Sequence, residues 1–442
     1  MRKFAFYGFW LTIFSLYTLS FIPYTNPVSA HAFGTLYTLP IPLWLYLYGA
    51  GAALIISFLA IGFFTRQSSH LFFPKFHLKL NHWVIFFLKV LSIFLFSLTI
   101  LTGFFGSQSA YQSFAVNFFW IFFLLGFTYF SAIFGNIWDF VNPWKIILSW
   151  FGEIKPLLTY PKNLGYIPAL LFYFLLIWLE LLSGGIGMHP SYLSKILLFY
   201  SGLIFLGSIL FGPNAWFQYG EFFSIFFGLI SKLSLFGKGD LLKEQISNFS
   251  LLVFIIFMLS STAFDGFRST IIYFRYFFST NSTVLLLLSP LFFLSLYMLA
   301  IFLMKILSKT TTSIKDLSIQ FAYSLIPIAL AYNVAHYYTL LLIQGQSIIP
   351  ILSDPFNQGL NLFGTVDYQT NVGLLSASFI WHSEVAVIII GHILAVFLAH
   401  IIALKIFSRK QAFISQIPML LLMVCYTVTG LWILSQPLTI GG

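Results

Sequence analysis

FIWHSEVAVIIIGHILAVFLAHIIAL, residues 379–404, is an apolar run of helical length with one charged residue, Glu384, near its start. Such a run is long enough to cross roughly 30 Å of hydrocarbon as a helix, and only a spanning helix satisfies all of its own backbone groups there. Three histidines interrupt it, at His382, His392 and His400. At about 1.5 Å per residue, His392 and His400 stand roughly 12 Å apart along one helix and cannot share an ion.

Comparable runs fall near 42–64, 84–105, 117–135, 167–184, 191–212, 250–267, 283–306, 319–343 and 416–436. The fold class is therefore all-α, a polytopic transmembrane helix bundle with about ten spans. The composition agrees: 60% of the 442 residues are hydrophobic and 7% are charged, against roughly 25% charged in a soluble domain. A net charge of +10 invites a nucleic-acid reading, but the basic residues come in small groups between apolar runs. That is the pattern of topology, so the expected partner is the lipid bilayer and not nucleic acid. The single cysteine, Cys425, excludes an intrachain disulfide and a cysteine metal cluster.

Residues 1–30 read as a signal peptide, with Arg2 and Lys3 before an apolar stretch and small residues at its end. Cleavage after Ala30 leaves His31 as the mature N-terminus, while cleavage after Ala32 discards it. Residues 31–442 then form a single transmembrane domain. With the mature N-terminus outside, alternate loops place fifteen Lys and Arg inside, and only Lys195, Arg268 and Arg275 outside. This positive-inside bias predicts a multi-pass protein of the bacterial inner membrane with both mature termini on the exterior side. Phe217–Phe236 is apolar but carries Glu221 and Lys232, which predicts an interfacial or re-entrant helix. Asp139–Trp144 reads as a turn and helix start on the inner side. The segment 344–378, rich in Gly, Pro, Asn and Asp, is expected to fold over the outer mouth. No inverted repeat and no pair of matched broken helices is visible.

Ionisable residues within spans are costly unless paired or facing a water-filled space. Glu180, Asp265, His336 and His392 all fall in the outer half by this topology. Imidazole and carboxylate are what zinc or copper accepts where no thiolate is at hand. His336, His392 and, if it is a free terminus, His31 are the expected metal ligands. Glu180 or Asp265 would complete the shell or act as general base. Each has a plainer reading: a histidine can simply tie two helices, and Asp265 with Arg268 can form an interfacial ion pair. No compact metal motif such as HExxH is present.

Several stretches resemble a group of bacterial multi-pass membrane proteins commonly labelled fenitrothion hydrolase. They are His31-Ala32, Leu39-Pro40-Ile41-Pro42, Asn142-Pro143-Trp144, Trp178-Leu179-Glu180 and Phe264-Asp265-Gly266. The most specific block runs from Ile326-Pro327 through Ala335-His336-Tyr337 and Gln344-Gly345-Gln346 to Leu362-Phe363-Gly364-Thr365, with Gly391-His392 and Ala399-His400 beyond. The resemblance implies a membrane-bound hydrolase of organophosphate triesters and supplies no catalytic site to carry over. Three functions are expected from these readings. The first is an outward-facing, metal-assisted hydrolase of small lipophilic ester or phosphoester substrates. The second is a transporter for a metal ion or small solute. The third is a non-catalytic, copper-handling subunit of a membrane complex.

Overall fold

The computed structural model describes residues 39, 41–65, 81–234, 236 and 248–436. The leader at 1–30, His31, and the loop residues Arg66, His70, Lys75, His77, Lys79, Lys238 and Lys243 lie outside the described residues. Within them the chain is a helix bundle without a sheet, as its composition requires. Nine helical stretches are long and apolar enough to cross a membrane.

In chain order, α1 is Leu43–Phe64, α2 His82–Phe105 and α3 Phe114–Phe134. Two short helices follow, α4 Trp138–Val141 and α5 Pro143–Ser149. Next come α6 Ile167–Leu181, α7 Pro190–Phe211, α8 Pro213–Tyr219 and α9 Phe222–Ser231. The bundle is completed by α10 Phe249–Arg268, α11 Ser282–Ser308, α12 Ile314–Phe321, α13 Ile326–Ile343 and α14 Ala377–Ile406, then α15 Arg409–Ser415 and α16 Ile417–Leu434. The one expected span not among them, near 167–184, is α6, and it has only 15 residues. It covers about 22 Å, less than the hydrocarbon thickness.

Hydrogen bonds between loops fix which helix ends share a face. Arg409 donates to the Phe63 carbonyl at 2.7 Å and Gln411 to that of Ser308 at 3.1 Å. Leu158 N–H reaches the Leu210 carbonyl at 2.7 Å, and Tyr166 N–H the Ser250 hydroxyl at 2.8 Å. The same face carries Lys155, Lys162, Lys232 and Lys309, and is called the basic face below. On the opposite face Arg268 donates to the Leu181 carbonyl at 2.8 Å and Trp120 to that of Gly187 at 2.9 Å. There the loop after Ser353 is organised by Asp354, which accepts from the N–H groups of Gln358, Gly359 and Leu360 at 2.6 to 3.1 Å. Burial pushes the Asp354 carboxyl up, but these backbone donors outweigh it and hold it below the usual carboxylate range.

Two devices let apolar helices associate where lipid offers no hydrophobic gain. The first is close approach through small residues. A methyl added to Gly391 of α14 would lie 2.2 Å from Cβ of Ala331 and 2.9 Å from the Pro327 carbonyl, so α13 and α14 pack almost backbone to backbone. The second is an aromatic layer in which the Trp138, Trp144, Phe123, Phe127, Phe223 and Phe227 rings interlock at centroid distances of 4.9 to 6.1 Å.

Candidate functional site

Short helices joined by a polar residue cannot cross a bilayer, and their depth shows where they turn back. α3 ends at Phe134 on the basic face, yet the Trp138 ring lies 5.3 Å from that of Phe123, eleven residues back up α3. Trp144 donates to the Ser201 hydroxyl at 2.8 Å, ten residues from the basic end of α7. Both contacts are thus about 15 Å along their helices. The chain from 135 to 149 enters from the basic face, turns at Asn142, and returns as α5. The Asn142 side chain caps α5 by accepting from the N–H groups of Trp144 and Lys145 at 3.0 and 3.2 Å, and Pro143 at its first position gives up no needed donor.

The apolar stretch around Phe217–Phe236 makes a second such hairpin. α8 climbs back along α7, where Trp216 fills the space beside Gly207; a Cβ there would meet its ring at 2.1 Å. The chain then breaks at Gly220–Glu221 and descends as α9. Glu221 is fully buried, and Tyr200 donates to it at 2.7 Å, about 16 Å from the basic end of α7. α9 is no amphipathic surface helix, since Phe222, Phe223, Ile225, Phe226, Phe227, Leu229 and Ile230 are all buried.

The tips of the hairpins meet. Asn142 donates to Glu221 at 3.3 Å, joining Tyr200, the N–H groups of Phe223 and Ser224 at 2.8 Å each, and the Ser224 hydroxyl at 2.5 Å. The positive end of α9 adds to this. Below the tips a cleft of about 2030 Å³ is walled by both hairpins, through Asn136, Asp139 and Lys145 on one and Gln218, Ser224, Gly228 and Lys232 on the other. Lys145 and Asp139 pair at its side.

The residues singled out by the sequence lie further toward the opposite face. Asp265 on α10 and His336 on α13 meet, Nε2–H of His336 donating to Oδ2 at 2.9 Å, and the Tyr337 hydroxyl donates to the same oxygen at 2.6 Å. The side chains of the pair are 14% and 20% exposed, so the dyad is sheltered without being sealed. Arg268 is turned to the Leu181 carbonyl on α6. Glu180, on the same helix, lines a chamber of about 30 Å³ with Tyr173, Ser261, Thr262, Asn333, Tyr337 and the Phe222 and Phe226 rings. Chamber and cleft therefore lie on opposite faces of α9: Phe222 and Phe226 look one way, Ser224 and Gly228 the other.

His392 is not part of this cluster. Its neighbour Gly391 packs on Pro327 and Ala331, more than a turn along α13 from His336. Its Nδ1–H donates to the Ile388 carbonyl at 2.8 Å, and Nε2 is buried with no partner among the described residues. His382 bonds Tyr46 at 3.1 Å, and His400 accepts from Gln416 at 3.1 Å. Glu384 is buried. Among the described residues, no group of three or more His, Cys, Asp or Glu stands together to hold a metal ion. The expected ligands His336 and His392 thus have separate surroundings, and His31 falls outside the described residues.

Sequence reasoning missed Glu221, which it took as an interruption, and Asn142, which it took as a turn. The available signal was a polar residue followed by a helix start within an apolar run, twice. Comparison with protein-family models, curated proteins and solved structures finds no match.

Proposed function

We propose that this membrane protein is a transporter for a small polar solute. The observation that carries the reading is the pair of hairpins that enter from the basic face and join at Asn142 and Glu221 over the cleft. Discontinuous helices whose capped ends meet near mid-membrane are how transporters place polar groups in a bilayer without exposing backbone to lipid. The cleft supplies both charges and amides, which suits a solute with several hydrogen-bonding groups. α9, one helix diameter thick (about 10 Å), separates it from the chamber and so stands where a barrier to passage has to be.

The reading is tested with the full chain in proteoliposomes by stopped-flow light scattering after osmotic shock with glycerol, urea, acetate or phosphate. Wild-type vesicles are expected to admit at least one of these faster than protein-free vesicles. Gly228→Trp, which puts an indole into the cleft beside Asn136, is expected to cut that rate at least ten-fold. Wild-type vesicles that match empty ones for every solute, with a pH gradient of either sign, would overturn it.

The Asp265–His336 dyad favours a second reading, hydrolysis of a lipophilic ester or phosphoester. Asp265 holds His336 with its Nε2 proton engaged, which leaves Nδ1 to act as a general base toward water. Its test is release of a chromogenic alcohol from an aryl ester or aryl phosphotriester by the detergent-solubilised protein. Activity that disappears in His336→Ala supports it, and equal rates in wild type and variant dismiss it.

A further inference from the structure

The chamber beside Glu180 holds more unmet hydrogen-bonding capacity than its size accounts for. Among the described residues no protein group hydrogen-bonds the Glu180 carboxyl, and Oδ1 of Asn333 is buried without a partner. Both residues line the 30 Å³ space, enough for about one water, and a buried water needs two to four polar partners. Glu180, Asn333 and the Tyr337 hydroxyl provide them. Tyr337 also donates to Asp265, which in turn accepts from His336.

We propose that this chamber takes up one water and that His336, Asp265, Tyr337, the water and Glu180 form a proton-binding relay. Glu180 is its terminal acceptor. A proton arriving at Nδ1 of His336 releases the Nε2 proton to Asp265. The Asp265 acid then donates to the Tyr337 oxygen as that hydroxyl turns and gives its own proton to the water. The water passes one on to Glu180. One proton has moved, and each intermediate group ends with the number it began with. The groups facing Glu180 are few. Tyr173 shares its helix, Asp265 comes from α10 and Tyr337 from α13, with His336 and Arg268 standing behind them against Asp265. The chamber walls given by α3 and α9 are Leu124, Leu125, Thr128, Phe222 and Phe226, none of which titrates. Resting on the transport reading, the relay makes the proton the coupling ion, held one aromatic layer away from the solute cleft.

Two measurements separate the relay from the transport reading. The first needs no solute: infrared difference spectra of the detergent-solubilised protein between alkaline and acidic pH. A protonated-carboxyl band is expected in wild type, lost in Glu180→Gln and shifted in Asn333→Leu, which displaces the water. A band identical in all three proteins overturns the relay. The second uses vesicles loaded with a pH-sensitive dye. An inward proton gradient is expected to accelerate solute entry in wild type, and Tyr337→Phe to reduce that response at least ten-fold. Solute entry that ignores the gradient removes the coupling and leaves the solute path standing. With no entry in any vesicle the solute path falls, and the infrared result alone decides the proton site.

Discussion

Two carboxylates of this bundle, the fully buried Glu221 and the half-buried Glu180, live in opposite circumstances. Glu221 accepts from five donors on three chain segments, and both of its oxygens are used. Glu180 faces a small chamber and feels the like charge of Asp265. A carboxylate with that many donors ties together the segments around it; it is a keystone. A carboxylate with few partners can change state, because little is broken when it does. The polar residue that ties the hairpins together and the polar residues around the chamber are thus different sets, the first capping the start of α9 and the others lying across its Phe222 and Phe226 face.

That contrast can be broken by substitution, with unfolding followed by circular dichroism in detergent. Glu221→Ala is expected to have the largest effect, a loss of about 3–5 kcal/mol, because it strands buried donors at the meeting point of the hairpins. A loss below about 1 kcal/mol would mean that the hairpins do not depend on their joined tips. Asp265→Asn is expected to cost about 1–2 kcal/mol, since the amide oxygen still accepts from Tyr337 while the charge-assisted bond from His336 weakens. Glu180→Gln is expected to change stability by less than about 0.5 kcal/mol, as it removes no hydrogen bond to the protein. A large loss there would place Glu180 with Glu221 as a structural group.

The polar residues of the spans were legible as exceptions, but their pairing was not. Asp265 and His336 are seventy-one positions apart, and an i, i+3 relation made Arg268 the obvious partner for Asp265. The structure instead turns Arg268 to α6 and gives Asp265 to α13. For His336 and His392 a shared site was a natural expectation in the absence of thiolates, yet each is bonded within its own surroundings. The hairpins were concealed for another reason. A run such as Phe217–Phe236 is as apolar when buried in protein as when buried in lipid, so hydropathy carries no information on which of the two surrounds it.

The sequence by itself determined the solvent: with so few charges and such long apolar runs, only hydrocarbon could surround this chain. It also determined the asymmetry of the lysines between the two faces, because charges beside a span remain in water wherever the helices pack. Only the tertiary structure decided that Asn142 and Glu221 meet mid-membrane, and that Glu180 is left facing a chamber while Glu221 is saturated. Those facts depend on which helix lies beside which. In lipid that choice is made by shape and by hydrogen bonds between distant segments, not by the apolar pattern they share.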